Sequence, residues 1–428
     1  IRPDSLENVH FNGKLNTEDF DLARLTDLGD MAGKLSMNAQ VEGTSYQGGS
    51  LSARMDGHIS KVEFNNYEYQ HINFQGDLSN RKFDGSFSVR DPNLQMEFFG
   101  KFDINDTLPV FDFTANVDRA RLFPLHLATT DPTYTLSCYL RANFIGSDIN
   151  EFDGEINLVN SLFQKQGKQI QIYNFNLYAQ HRPDSNSMIL RSDLVDAEIY
   201  GQYEFEDIGK ATGRLLAHHL PAFRDIIKKN PDTEDESFNN FRYEFHLKNT
   251  YPITDFFYPE IEFARDSKIY GNYNPDIYEF NLEGDLPSFQ YGNNKWDDLE
   301  ISLITNDSTA HFLTTCGSLV SGSVINMENI RLYWNVESDS LNYSLLWKNK
   351  DQEDISMGDI SGFASFMYRP SYRIPRIDID FNPGKIFIRD TIWDLDQSGI
   401  TVDTSSVEFH KLQVRHNTQS LAINGTLS

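Results

Sequence analysis

The sequence predicts an all-β protein, and three of its features support that class. Apolar and polar residues alternate over most of the chain, as they do in strands buried on one face. Asn, Asp, Gly and Pro separate the alternating runs, as hairpin turns require. A glycine also recurs in the middle of many runs, where the alternation would place an apolar residue.

Strand-like alternation extends over long parts of the chain. If roughly half to two thirds of the residues lie in strands of about eight, the chain has on the order of 30 strands. At ~4.8 Å between strands, such a sheet would be on the order of 140 Å long, and open sheets of that extent curl or split. The clearest strand predictions are residues 133–144, 241–249, 330–336 and 341–347.

The recurring glycines share the parity of their apolar neighbours, so we expect them to point toward the apolar face. Glycine within a strand reduces stability, and its repetition therefore indicates a purpose such as bending the strand. Strands bent at mid-length predict an elongated, curved antiparallel sheet that forms a taco-shaped apolar groove. The predicted curvature glycines are Gly76, Gly85, Gly100, Gly154, Gly201, Gly271, Gly284 and Gly425.

The same pattern also fits a β-sandwich or a closed barrel. In those folds the alternating apolar rows form the core, and glycines mark bulges or corners. Tandem sandwiches would require a linker about every hundred residues, however, and the alternation here is continuous. The length of the predicted sheet favours the open groove.

Helical signals are few and short. In the clearest one, Pro221 lies in a first turn, and Lys228 and Lys229 lie near the end of the segment, as expected for a short helix. Two other segments place apolar residues at roughly helical spacing. The sequence predicts short helices near residues 17–29, 118–127 and 220–230.

An acidic stretch divides the chain near its middle. Residues 231–237 read PDTEDES and have no apolar pattern, which is typical of an exposed loop. We expect a first groove segment at 1–230, an acidic loop at 231–240, and a second segment at 241–428 that continues the same groove.

Composition excludes several classes of function. The formal charge of the 428 residues is −26, which repels phosphate backbones, so no nucleic acid partner is expected. The sequence has no run of about 18 apolar residues that could span a bilayer as a helix. It begins without a methionine and shows no signal peptide, and we interpret it as a piece of a longer protein.

No motif predicts an enzyme, a metal or a cofactor. The sequence lacks HExxH, GxSxG, P-loop and GxGxxG signatures. Cys138 and Cys316 are expected to be small buried apolar residues, although a disulfide between them is possible. His218 and His219 are expected to be structural or surface residues at a strand-to-helix junction. A glycosidase carboxylate pair stays open, because nothing distinguishes one carboxylate from the many others. Four tryptophans could stack on sugars, although packed positions are the more common role.

The sequence resembles the TamB/AsmA-like family of repeating β-groove, bridge-like lipid-transfer proteins. The resemblance is carried by the apolar-x-Gly-x-apolar repeat of residues 69–103 and by the final run from residue 392 to 428. The segments FDLARL, VDRARLFPL and HHLPAF add a recurring pairing of strand and short helix. Together these features cover most of the chain, but each is a fold-level periodicity.

The resemblance implies a groove in the periplasm of a diderm bacterium that carries phospholipids between the two membranes and contributes to outer-membrane biogenesis. It also implies an Omp85-type barrel as partner and an inner-membrane helix, both through regions outside this sequence. An apolar groove suits this role, because exposing an acyl chain to water costs about 0.8 kcal/mol per methylene.

The residues expected to contact acyl chains are the large apolar residues of the repeat. They are Phe74, Phe87, Phe98, Phe102, Ile156, Ile199, Leu282, Leu345 and Ile423. Two alternatives remain. One is an extracellular carbohydrate-binding or adhesive protein built of tandem β-sandwiches, and the other is an outer-membrane barrel, which would need strands that are apolar on the outside.

Overall fold

The structure is a computed structural model, and it confirms the all-β class. Strands make up 72% of the chain, and the part that is described contains 28 strands and two α-helices. All the strand pairs that it shows are antiparallel. The residues described are 2–3, 8–22, 32–46, 51–104, 108–128, 131–182, 185–224, 239–322, 325–349, 356–369, 374–388 and 391–428.

The chain divides into two compact units. Unit 1 comprises Ile1–His181 and Met188–Leu194, and unit 2 comprises Arg182–Ser187 and Val195–Ser428. Most of the predicted acidic loop at 231–240 lies outside the described residues, which resume at Asn239. A division of the chain at that loop therefore stays a prediction.

Unit 1 is an antiparallel sheet in which each strand from β1 to β11 pairs with the next. Short turns at residues 65–66, 80–81, 91–93 and 166–167 connect neighbouring strands, which explains the Asn, Asp and Gly residues at those positions. The strands are β1 (Arg2–Pro3), β2 (Asn8–Asp21), β3 (Ala32–Tyr46), β4 (Leu51–Phe64), β5 (Tyr67–Ser79), β6 (Lys82–Arg90), β7 (Leu94–Asp103), β8 (Val110–Arg121), β9 (Thr135–Ile145), β10 (Asp153–Lys165), β11 (Lys168–Gln180) and β12 (Asn186–Ser192).

The register of unit 1 places the predicted apolar residues on one side of its sheet. Phe74 lies opposite Phe87, and Phe87 lies opposite Phe98. We call the side of β4–β11 that carries these rings the apolar face of unit 1, and the other side the polar face of unit 1. Gly76, Gly85 and Gly100 also lie directly opposite one another in a row across β5, β6 and β7.

Unit 2 contains the remaining strands and both helices. Its strands are β13 (Val195–Gln202), β14 (Asn240–Leu247), β15 (Ile261–Phe263), β16 (Ser267–Asn274), β17 (Glu279–Tyr291), β18 (Asn294–Thr305), β19 (Ala310–Ser321), β20 (Ile325–Glu337), β21 (Ser340–Lys348), β22 (Ser356–Met367), β23 (Arg376–Phe381), β24 (Gly384–Ile388), β25 (Thr391–Leu395), β26 (Ser398–Val402), β27 (Val407–His416) and β28 (Gln419–Leu427). The helices are α1 (Phe205–His219) and α2 (Tyr251–Phe257), and two 3₁₀ turns span Pro221–Phe223 and Pro275–Ile277.

The centre of unit 2 is a cross-strand apolar cluster. Leu286, Leu299, Cys316 and Ile330 lie opposite one another on four consecutive strands, and all are buried. Partly buried neighbours, Leu345 among them, pack against this cluster. The cluster joins β17 to β20 by side-chain burial in addition to backbone hydrogen bonds.

The predictions of the first two helices are wrong for those of their residues that the structure describes. Residues 17–21 belong to strand β2, and residues 23–31 lie outside the described residues. Strand β8 continues to Arg121, and turns follow it. Register shifts occur between residues 17 and 20 in β2 and between 117 and 120 in β8. Such a shift changes an apolar spacing of two into three, which imitates the helical i, i+3 spacing.

The third prediction is confirmed only at its start. A 3₁₀ turn covers Pro221–Phe223, and residues 225–230 lie outside the described part of the chain. Helices α1 and α2 were not predicted. His218 and His219 form the end of α1, so their assignment to a strand-to-helix junction is wrong. The two acidic residues in the first turn of α1 and the two histidines in its last turn are the signal that could have identified it.

Most of the predicted glycines lie where a side chain would not fit. Gly100, Gly154, Gly201 and Gly425 have positive φ angles between 132° and 148°, which L-residues rarely adopt. A methyl group on Gly271 would strike the backbone of Asn281 and the hydroxyl of Tyr243. Aromatic rings from adjacent strands lie over several glycines, as Phe83 does over Gly76. At Gly76 and Gly271 the glycine therefore makes room for a ring of a neighbouring strand, whereas at Gly85, Gly100, Gly154 and Gly201 it lets the backbone of the neighbouring strand approach closely.

We expect Gly271→Ala to destabilise unit 2 by about 1–3 kcal/mol, because the added methyl group overlaps the backbone of the next strand. Gly284→Ala is the matched control on the paired strand β17, since its added methyl group would meet only Ile301 at 3.5 Å. Thermal unfolding of both variants checks the prediction. Equal melting temperatures would show that the register around Gly271 differs from the one described.

Candidate functional site

The apolar face of unit 1 carries two ladders of stacked phenylalanine rings, one on either side of the glycine row. In the first ladder Phe87 stacks on Phe98, with ring centroids 4.4 Å apart and planes 11° apart, and Phe98 lies 5.1 Å from Phe113. In the second, Phe83 stacks on Phe102 at 5.2 Å. Offset ring pairs at these distances add stability beyond the area that they bury.

The second ladder continues across the next strands. Phe111 stacks on Phe144 at 4.8 Å, and Phe144 contacts Phe152 at 5.1 Å. Phe83, Phe111, Phe113 and Phe144 were not among the predicted contact residues. Their parity relative to the glycines is the signal that would have identified them, because each occupies an apolar position of the same alternating run.

Most large rings on this face stay partly exposed, although small residues beside them are buried. Ala115 and Ala142 are 4% and 1% exposed, whereas Phe74, Phe87 and Phe102 are only half-buried. In a core closed by a second layer, the rings would be buried as well. Among the described residues of unit 1, the apolar face therefore has the burial pattern of an uncovered sheet surface.

Charged side chains lie on the opposite side of the sheet. On β6 and β7, Lys82 pairs with Asp103 at 2.6 Å, and Lys101 on β7 pairs with Asp112 on β8 at 3.4 Å. Between β5 and β9, the described positions of the apolar face hold apolar residues and glycines. The two faces are thus chemically distinct over at least five strands.

The predicted contact residues occur in both units. Phe74, Phe87 and Phe98 form one row, Phe102 lies opposite Phe83 and Phe111, and Ile156 lies opposite Ala142 and Leu177. In unit 2, Ile199 lies opposite Tyr243, Leu282 lies opposite Gly271 and Leu303, Leu345 packs on the buried cluster, and Ile423 is 44% exposed on β28. Of the nine, only Phe98 is buried.

Two tyrosines of unit 2 cross over glycines of the neighbouring strand. Tyr243 lies over Gly271 and donates its hydroxyl to the carbonyl of Asn281 at 3.0 Å. Tyr343 lies over Gly362 and donates to the carbonyl of Asp380 at 3.2 Å. Burial raises the pKa of both hydroxyls to about 12, so they stay protonated and act as donors at neutral pH.

Helix α1 lies along strand ends of unit 2. Its His218 ring stacks on Tyr278 at 3.6 Å, and His218 Nε2 lies 2.6 Å from the backbone oxygen of Asp307. The amide of Asp339 donates to the carbonyl of His219. Because Tyr278, Asp307 and Asp339 lie in successive turns between β16 and β21, the end of α1 is fastened to that side of unit 2.

His219 is the most unusual titratable group of the described residues. Its side chain is 4% exposed, and neither ring nitrogen has a hydrogen-bond partner there. Burial lowers its pKa, and the neighbouring His218 lowers it further, while Asp307 opposes the change. An imidazole in this setting is neutral and packs as a ring.

Within the described residues, no three His, Cys, Asp or Glu side chains form a group that could hold a metal ion. Neither described helix has the length and apolar character that a bilayer-spanning helix needs. Cys138 and Cys316 are buried, as predicted, and both are free. Burial raises the pKa of both thiols, which makes them poor nucleophiles.

Comparison with known proteins gave no significant match, whether to protein-family models, to curated sequences or to solved structures. The TamB/AsmA-like resemblance therefore depends on the sequence pattern alone.

We expect acidification to loosen the end of α1 through His219. Its folded-state pKa lies below the usual 6.5, so its contribution to stability is complete above that pH and is lost as the pH falls below it. When the pH is lowered from 7.5 to 5.0, the melting temperature of the wild type should fall by at least about 2 °C more than that of His219→Phe.

Differential scanning calorimetry at the two pH values measures this difference, and the exposed His181, changed to Gln, is the control. If His219→Phe and wild type lose equal stability on acidification, His219 is not the group that titrates.

Proposed function

We propose that this chain transfers phospholipids between the inner and outer membranes without catalysing a reaction. In this proposal the apolar faces curve into a taco-shaped groove in the periplasm, and the groove carries acyl chains as a step in outer-membrane biogenesis. An Omp85-type barrel and an inner-membrane helix, both outside this sequence, would connect its ends to the membranes.

The observation that supports this proposal is the partly exposed apolar face of unit 1. Its aromatic ladders run perpendicular to the strands, from β6 to β9. Phe74 on β5 lies opposite Phe87, and the face holds no charged side chain at the described positions of β5 to β9. At ~4.8 Å per strand, five strands give a continuous apolar path of roughly 19 Å. An acyl chain on this path replaces water against the rings, at a gain of about 0.8 kcal/mol per methylene.

The open face also explains how the phosphate head group of a bound phospholipid could stay in water. A closed cavity would have to bury a phosphate and provide it with cationic partners. An open sheet surface lets the acyl chains lie against the rings while the phosphate stays in water. The absence of charges from this face between β5 and β9, in the part of the chain described, is what such a division requires.

We expect Phe87→Asp to lower the amount of phospholipid that co-purifies with the detergent-free protein by about tenfold, because a carboxylate among acyl chains is not solvated. Ser86→Asp is the matched control, since this substitution introduces the same charge at the position next to Phe87, on the polar face. Lipid extraction and mass spectrometry give the readout, with circular dichroism to check the fold.

Two outcomes would contradict the proposal. Wild-type protein that is folded and empty of phospholipid would indicate that the face does not bind acyl chains. Unfolding of Phe87→Asp under conditions in which Ser86→Asp stays folded would show that Phe87 is a core residue.

A further inference from the structure

The polar face of unit 1 has a shallow cavity of about 690 Å³, which lies within the size range of small-molecule sites. Its lining includes amide, hydroxyl and carboxylate side chains from β5, β6 and β7, among them Gln75, Ser86, Ser88 and Glu97. In the described part of the chain, these four side chains make no hydrogen bond or ion pair. Their hydrogen-bonding groups are therefore available to a ligand.

Two aromatic rings stand at the side of this cavity. Phe99 is 68% exposed and Tyr139 is 45% exposed, and neither ring stacks on another side chain in the residues described. Both also line a second cavity of about 360 Å³, so they lie between two polar depressions. Exposed rings at such a position offer flat apolar surfaces to a ligand that is otherwise polar.

The register arranges these groups in two parallel rows. One row contains Gln75, Ser86 and Phe99 on β5, β6 and β7. The other runs from Asn73 through Ser88, Glu97 and Asn116 to Tyr139, across β5 to β9. The longer row spans four strand spacings, which is roughly 19 Å, and matches an extended chain of three or four rings better than a single small molecule.

We propose that the polar face of unit 1 binds a neutral oligosaccharide. A sugar chain offers C–H faces that pack on Phe99 and Tyr139, and hydroxyls that exchange hydrogen bonds with Gln75, Ser86 and Glu97. Anionic chains are disfavoured, because the larger cavity is lined by the carboxylates of Asp56 and Glu97 without a Lys or Arg, on a chain of net charge −26.

The polar side chains and exposed rings of this site are separate from the proposed lipid path, although Phe74, Phe87 and Phe98 of the apolar face also border the cavity. Successive residues of a strand point to opposite faces, so Phe98 belongs to the apolar face and Phe99 to the polar face. A change at Phe99 should leave the phospholipid content unchanged. Failure of one proposal therefore leaves the other standing.

The test is isothermal titration of the whole chain with maltohexaose, cellohexaose and chitohexaose. We expect binding of at least one hexamer, with an affinity that falls about tenfold in both Phe99→Ala and Tyr139→Ala. Tyr173→Ala is the matched control, because this residue is 59% exposed on β11 and lies outside both cavities. All three positions are exposed, so the variants should fold.

Three results would overturn the proposal. One is that no hexamer binds at millimolar concentration. Another is that Phe99→Ala and Tyr139→Ala bind as well as the wild type. The third is that polygalacturonate binds more tightly than the neutral hexamers, which would contradict the charge argument.

Discussion

The register of the antiparallel hydrogen-bond ladders is the constraint on which the rest of this structure depends. Side chains alternate between the two faces, so a slip by one residue would move every side chain of a strand to the other face. With Phe87 opposite Phe98, the rings of β6 and β7 meet, and Ser86 meets Phe99 on the other side. The apolar and polar faces are two consequences of a single set of backbone pairings.

Glycine and aromatic residues hold that register in unit 2. A tyrosine ring that crosses a neighbouring strand requires a glycine beneath the ring and a carbonyl beyond it that accepts its hydroxyl. For Tyr243 these are Gly271 and the carbonyl of Asn281. Tyr343 repeats the arrangement with Gly362 and Asp380. Each device joins three consecutively paired strands, and a slip in either pairing would leave a buried hydroxyl without an acceptor.

The sequence predicted the strands well, because alternation is a local property that each run shows by itself. The segments 241–249 and 330–336 lie within or largely within β14 and β20. The prediction of strands from the sequence failed at bulges, where a register shift such as that between Thr17 and Phe20 imitates helical spacing. The atoms that lie over a glycine could not be predicted, because the ring or backbone concerned belongs to another strand and its place depends on the pairing.

Of the two candidate sites, one could be predicted from the sequence and the other could not. The row of Phe74, Phe87 and Phe98 follows from parity, once neighbouring strands are paired through tight turns. The polar site was not predicted, since sequence alone does not show that Phe99 and Tyr139, on strands that do not pair directly, line one cavity. Nor does it show that Gln75, Ser86, Ser88 and Glu97, which line the same cavity, make no side-chain hydrogen bond within the described residues.

An uncovered apolar face also affects stability. The half-buried rings of unit 1 gain only part of the free energy that a closed core would provide, so backbone ladders and ring stacking must supply more of the total. A molecule that binds the folded face and not the unfolded chain would add stability in proportion to RT ln(1 + [L]/Kd). A sheet that carries acyl chains is thus expected to be most stable when loaded. The polar face is already hydrated in the empty protein, so a sugar bound there, as we propose, would add less stability than acyl chains on the apolar face.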